Sequence, residues 1–421
     1  MTGIARSDDL RRENQRRILA ALRAESPQSR TRLSTATKLS ASTVTAITSA
    51  LFEGGYLIEA AKPKDQAPNA TIASNGRRGR PQVALALNPA AAIIGALTLT
   101  LNRISAAVVD YSGTLIVEEV EAINTQTLSR DDFGRKLGEL LQKAMNKAGP
   151  SCGPLLNIAL TVQGVSDANG TLMHWSPITP HLDLEVGHYL SSAFNVPVSI
   201  ANDANMIAAA LRWNEPERYG SSFAAILLSH GIGMGLVLKG KPFTGIWSSA
   251  AEFGHMCHIP NGALCRCGRR GCIEAYAGDY GIWRRATGGS PSTMPSAEID
   301  HQVMAEIARR AKEGDASAIT AHREAAEALG HGLRSLFALL DPFPVAFVGS
   351  GALVFNLMEP TIRTSLGRKG IGLSYADAEF HCYQDDMELT RKGTIVTALT
   401  ALDHLIQTTR ETVGEQYEDT A

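Results

Sequence analysis

His255, Cys265, Cys267 and Cys272 place the tightest constraint on how this chain can fold. Three thiols and one imidazole fall within eighteen positions, in the runs Glu252-Phe-Gly-His255 and Cys265-Arg-Cys267-Gly-Arg-Arg-Gly-Cys272-Ile-Glu274. Glycines and Pro260 separate them. Soft thiolates and an imidazole spaced by turn formers make a tetrahedral Cys3His set for a structural Zn2+. Glu252 and Glu274 flank the set without being counted as ligands. The stapled loop therefore presents Glu252, His255 and Glu274 to a polar partner. Cys257 lies inside the loop, while Cys152 and Cys382 stand apart and read as buried thiols. Six cysteines in this arrangement do not form a disulfide framework, and thiolate ligation fits a reducing cytoplasm.

Charge divides the chain. Residues 1–88 hold 14 of the 40 Lys and Arg but 7 of the 42 Asp and Glu, a net of +7 against −9 for the remainder. A basic head on an acidic body fits a polyanion-binding module joined to a domain with another task. The length of 421 residues allows two or three domains. The N-terminus is charged and lacks the apolar core of a signal peptide. The apolar stretch 84–101 is broken by Asn88, Pro89 and Gly95, so no membrane span is expected.

The head reads as a winged helix-turn-helix over residues 1–88. Leu10, Ile18, Leu19 and Leu22 share one helical face, a second helix opens at residues 29–33, and Lys38-Leu39-Ser40 makes the turn. A third helix is predicted over 41–53, with Val44, Ile47 and Leu51 facing inward. Short hydroxyls on its other side let a helix lie deep in a major groove. The candidate DNA contacts are Arg30, Ser40, Ser42, Thr43, Thr45 and Ser49. Residues 56–59 and 82–87 are predicted as the wing strands, joined by a flexible wing over 60–81. That wing ends in Arg77, Arg78 and Arg80 among glycines, which suits insertion into a minor groove.

The body alternates strands and helices, with glycines at strand ends. Strands are predicted at 93–101, 104–110, 114–120, 156–162, 196–201, 224–228, 236–238 and 345–348, with helices at 130–148 and from 202 to 212. Gly231-x-Gly-x-Gly235 and Gly349-x-Gly351 read as turn-shaping glycines. This is an α/β pattern with a cleft along the strand termini.

With the winged head, the Asn202-Asp203 pair and the His-Cys cluster together, the chain resembles transcriptional regulators of the ROK family from about residue 14 to 406. The resemblance implies a two-lobed actin-like (ribonuclease-H-like) sugar-kinase fold. The first lobe would span 89–201 with a C-terminal helix at about 390–408, and the second 202–389 with the zinc loop. It implies Asn202, Asp203, Glu252, His255 and Glu274 as sugar contacts, Asp203 matching the base of the kinase members. It also implies a homodimer or homotetramer. Carboxylates accept from sugar hydroxyls, and an amide does both jobs. A zinc-bound His255 keeps its other ring nitrogen protonated, so that nitrogen only donates.

One part of the kinase pattern is missing. The phosphate hairpin Asp-x-Gly-Gly-Thr-Lys is represented here by Thr98 to Arg103, without the Mg2+-organising aspartate or the glycines that admit phosphate. Ala251 stands where the family commonly has glycine before the Glu252 position. The expected function is a sugar-responsive regulator of operator DNA that represses carbohydrate uptake or catabolism genes and is inactive toward ATP. Its rivals are a sugar kinase with an accessory head, and a constitutive DNA-binding protein with a vestigial cleft.

Overall fold

The computed structural model describes residues 7–60, 83–167, 169–246, 251–295, 298–367 and 375–418, and the side chains of these except at 7–9 and 407–418. Arg77, Arg78 and Arg80, with the rest of the wing from 61 to 82, lie outside the described residues.

Three helices build the head: α1 (Ser7–Ala24), α2 (Arg30–Thr37) and α3 (Ala41–Glu53). Ser29 caps α2 by accepting from the Arg32 N–H, and Ser40 caps α3 by accepting from Thr43 at 3.1 Å. Lys38 turns the chain between them in the left-handed region, at φ 55°. Strand Leu57–Ala60 pairs antiparallel with Ala84–Leu87, as the alternation predicts. A third strand, Gln28–Ser29, joins the outer side of Ala84–Leu87. Two residues are too few for alternation to be read from sequence.

The body holds two five-stranded sheets of identical order. In each, a three-strand antiparallel meander is followed by two strands parallel to its first member. The first sheet runs Leu115–Ala122, Arg103–Asp110, Ile93–Thr100, Leu155–Val162, Val198–Asn202. The second runs Lys241–Pro242, Ile232–Leu238, Phe223–Leu228, Val345–Val348, Phe380–Tyr383. This duplication is the two-lobed actin-like architecture. Central strands such as Phe223–Leu228 are buried at every position, as strands covered on both faces must be.

The lobes exchange their last helices. Helix Asp203–Asn214 follows the first sheet but packs on strands Phe223–Leu228 and Ile232–Leu238 of the second. Helix Asp386–Glu418 follows the second sheet but packs on Ile93–Thr100 and Leu155–Val162 of the first. The two helices cross closely, because a Cβ at Gly393 would stand 1.8 Å from the Met206 carbonyl oxygen. Gly233 and Gly235 lie inside strand Ile232–Leu238, not in a turn as their spacing predicts. A Cβ at Gly235 would meet the Ala204 carbonyl oxygen at 2.1 Å. Glycine there brings the start of helix Asp203–Asn214 down onto the sheet.

The head is joined to the body by a common core. Ile18, Leu22, Leu33 and Leu51 of the head pack in one buried cluster with Ile94, Val109, Ala159, Leu399 and Leu402 of the body. At its edge a buried Arg23 holds both oxygens of Asp403, with its second terminal nitrogen 2.8 Å from Oδ1. Tyr111 donates to the same carboxylate at 3.3 Å, and the Arg23 guanidinium lies 5.2 Å over its ring. Of the isolated thiols, Cys152 is half-buried and Cys382 exposed, not buried as expected. Cys382 sits on strand Phe380–Tyr383, the last strand of its sheet. No helix among the described residues is long and apolar enough to cross a membrane.

Candidate functional site

The cleft between the lobes gathers all five residues named from sequence. Asn202, Asp203, Glu252, His255 and Glu274 line one pocket with Gln163, Trp175 and Arg266. Asn202 ends the last strand of the first sheet and caps the helix beginning at Asp203. Its Oδ1 accepts from the Ala204 N–H at 2.9 Å, and its amide nitrogen donates to the Gly164 carbonyl at 2.9 Å. The cap holds its amide still, and one lone pair and one N–H remain for a ligand.

Asp203 is buried, and burial pushes its pKa up to about 7 against the pull of the Ala204 N–H, with Asp386 and Glu252 adding to the rise. In the folded protein this carboxyl binds a proton between roughly pH 4 and 7 that the unfolded chain has released. Stability from this group therefore falls as pH rises through that window. Asp203→Asn is expected to flatten that part of the stability–pH profile and to raise stability above pH 7, read from denaturation at several pH values. An unchanged profile would mean that the carboxyl is already ionised at low pH. Glu252 is likewise raised, by burial first and by Glu274, and His255 opposes the rise.

The loop is arranged around the thiols. Cys265 Sγ lies 3.7 Å from His255 Nδ1, and Cys267 Sγ 3.8 Å from Cys272 Sγ. All four ligand atoms fall within 4.8 Å of one another. Zinc bonds of about 2.0–2.3 Å place neighbouring tetrahedral ligands roughly 3.3–3.8 Å apart, so this donor set fits the ion. His255 turns Nδ1 to the thiols and Nε2 toward Glu252, 3.8 Å away. The ring nitrogen left over faces the cleft. Glu274 is buried and already occupied: Oε2 accepts from the Ile232 N–H at 3.1 Å and Oε1 from the Tyr280 hydroxyl at 3.2 Å. It fastens strand Ile232–Leu238 to the loop as well as lining the pocket.

Ala251 adopts φ 68°, a left-handed conformation that costs an L-residue about 1–2 kcal/mol. Glycine at this position would be free of that strain. Ala251→Gly is expected to stabilise the protein by about 1 kcal/mol in chemical denaturation; a loss of stability would show that the strain is absent.

Three pocket residues escaped the sequence reading. Trp175 packs edge-on to His255 at 6.1 Å between ring centroids. Arg266, between two of the cysteines, lays its guanidinium 4.8 Å from the Tyr280 ring centre. Gln163 accepts the Leu101 N–H at 3.0 Å. A cysteine pattern draws the eye past Arg266, and nothing local marks a lone tryptophan as facing a cleft.

Gln163 bears on phosphate chemistry. The hairpin turn at Leu101-Asn102 is where the resemblance to kinase members would put phosphate-binding amides. Its Leu101 amide is taken by Gln163, and its Asn102 amide by the Thr125 hydroxyl at 3.4 Å. The Asn102 side chain donates across the cleft to Glu298 at 3.2 Å, putting a carboxylate beside the turn.

On the head, the outer face of α3 carries exposed Ser42 and Thr45 and half-buried Thr43 and Ser49. Ser40 bonds the hydroxyls of Ser42 and Thr43 at 2.9 and 2.8 Å, and Thr45 donates to the Ala41 carbonyl at 2.8 Å. Arg30 is half-buried, and its Nε donates to the buried Thr48 hydroxyl at 2.9 Å, which ties α2 to α3.

Residues 96–369 match the ROK family. The chain belongs to the ROK family. Residues 11–58 match a winged helix-turn-helix DNA-binding family. This ROK protein is 27% identical to the xylose repressor of Caldicellulosiruptor bescii over 335 residues, 78% of this chain and 80% of that one. It is 27% identical to a glucokinase of Streptomyces coelicolor over 264 residues, 58% of this chain and 81% of that one. A crystal structure described as a ROK family transcriptional regulator, homologous to the E. coli MLC protein, superposes with a TM-score of 0.75. It covers 94% of this chain and 98% of its own at 22% identity. The fold of head and body together is thus that of a solved regulator.

Proposed function

We propose that this ROK protein is a sugar-responsive repressor in the cytoplasm, without kinase activity, that reads operator DNA through α3 and the wing. One observation carries the reading. A groove-reading head shares its core with a lobe whose cleft keeps the hydroxyl-gripping Asn202, Asp203, Glu252 and His255, while the phosphate-hairpin amides are bonded to Gln163 and Thr125. Phosphoryl transfer depends on positioned amides and metal-neutralised charge; here the amides are taken, and the Glu298 carboxylate beside the turn repels a phosphate.

In this reading Asp203 and Glu252 accept from sugar hydroxyls, Asn202 both donates and accepts, and His255 Nε2 donates. Zn2+ held by His255, Cys265, Cys267 and Cys272 supplies structure and fixes the His255 tautomer. Glu274 keeps the loop registered on strand Ile232–Leu238. Closure of the lobes on a sugar slides helix Asp203–Asn214 along helix Asp386–Glu418, and the latter carries Asp403 to Arg23 of the head. A ligand that prefers one closure state changes DNA affinity by its differential affinity for the two states. A symmetric pair of chains, as a homodimer or within a homotetramer, places two α3 helices on half-sites about one helical turn apart.

Above pH 7, where the Asp203 carboxyl is ionised, Asp203→Ala is expected to weaken sugar binding about 10- to 100-fold, as loss of a hydrogen bond to a charged group of about 1.5–3 kcal/mol implies. Calorimetry against a panel of hexoses, pentoses and amino sugars reads this. No heat with any sugar would favour a vestigial cleft, and a coupled assay turning over ATP at about 1 s⁻¹ or faster would favour the kinase.

A further inference from the structure

We propose a second metal site on the outer side of the same loop, held by His258 and His331 and selective for a first-row divalent ion with a preference for imidazole. His258 lies in the cysteine loop and is half-buried; His331 lies on helix Ala316–Leu340 and is exposed. Their Nδ1 atoms are 3.3 Å apart and their ring centroids 5.2 Å apart.

The nitrogens lie within hydrogen-bond reach, and the two distances together fit a chelate better than a linear, head-on hydrogen bond. A linear N–H···N bond would bring the nitrogens to about 3.0 Å, and a head-on pair held at the longer separation would put the centroids roughly 5.6 Å apart. Two imidazoles on one tetrahedral ion, with bonds of about 2.0–2.1 Å, have nitrogens about 3.3 Å and centroids about 5.2 Å apart. Both separations match the second arrangement, in which the lone pairs converge on a common point.

The surroundings support it. Tyr276 packs edge-on against His258 at 5.0 Å and sets the plane of that ring. Glu327 precedes His331 by one helical turn and so shares its face. Its charge acts on His258, and its carboxylate is paired with the exposed Arg323 at 2.6 Å. Glu327 would supply a third ligand only after turning away from that exposed pair, and water would complete the shell. Imidazole and carboxylate without thiolate suit Zn2+, Ni2+, Co2+ or Cu2+. An ion here would fasten the loop to a helix whose Gly332 already lies against Phe253 and Ile273.

The test is a Zn2+ titration of the metal-depleted full-length chain against a chromophoric chelator, repeated with Ni2+. The wild type is expected to bind two equivalents, one tight and one weaker. His258→Ala and His331→Ala are each expected to lose the weaker equivalent and keep the tight one. Both positions are accessible to solvent, so neither variant threatens the fold. One equivalent in the wild type would overturn the proposal, as would a weaker equivalent that survives both substitutions. Neither result depends on whether the cleft binds sugar.

Discussion

Replacing Arg23 with methionine is expected to cost about 3–5 kcal/mol of stability, the usual penalty for leaving one member of a buried ion pair alone. Arg23 and Asp403 have side chains 6% and 5% exposed, and both Asp403 oxygens depend on the guanidinium. Without it the Asp403 carboxylate keeps, among the described residues, the Tyr111 hydroxyl as its donor, inside an apolar core. The double substitution Arg23→Met with Asp403→Leu removes both charges and is expected to recover most of the loss, since buried pairs barely exceed a well-packed apolar replacement. Urea denaturation of the two variants measures this. If the single variant were as stable as the double, the pair would not be buried in solution. The double variant serves a second purpose. If the ion pair transmits lobe closure to the head, operator binding persists in it while the response to sugar weakens. If the apolar core alone transmits closure, the response is retained.

The second large effect concerns the cysteine loop. Cys267→Ser is expected to abolish metal retention by the Cys3His set, because a structural zinc site contributes its binding energy to folding, about 10–16 kcal/mol in isolated zinc-finger peptides. The body has its own large core, beneath the loop as well as beside it, so the chain is expected to stay folded. What should loosen is residues 252–274, and with them the placement of Glu252 and the His255 tautomer. Three readouts check this: zinc content, protease sensitivity of the loop, and sugar affinity, expected to fall at least tenfold. The variant head should still bind operator DNA, now indifferent to sugar. Normal sugar response after complete metal loss would mean that the hydrogen bonds of Glu274 to Ile232 and Tyr280 hold the loop unaided.

What could be read in advance was local. α3 is bounded by Ser40 and Gly54, and a capping serine and a glycine at the far end mark both limits in the sequence. The thiols lie close in sequence and close in space, so spacing alone identified their cluster. Asn202 illustrates a partial reading, because the same amide is both helix cap and cleft residue. Non-local features stayed hidden. The assignment of each terminal helix to the opposite lobe came only from the family resemblance, and the pairing of Arg23 with a residue 380 positions away leaves no periodic trace. Gly233 and Gly235 read as turn formers because glycine usually signals turns, yet here they thin a strand so that a helix can approach it. The missing phosphate loop was legible as absent glycines. That Gln163 and Thr125 consume the remaining amides was not, since those contacts span 62 and 23 residues.

In the proposed function one chain couples a sugar cleft without a nucleotide site to a DNA-reading head; this coupling can be measured in a single assay. It is tested most directly by operator binding, followed by fluorescence anisotropy while a panel of sugars is titrated in, with and without Mg-ATP. One sugar class is expected to weaken operator affinity about 5- to 150-fold, the usual range of allosteric coupling. Mg-ATP is expected to change nothing, and Asp203→Ala to lose the response. Operator affinity indifferent to every sugar, or a response that requires Mg-ATP and consumes it, would contradict the account.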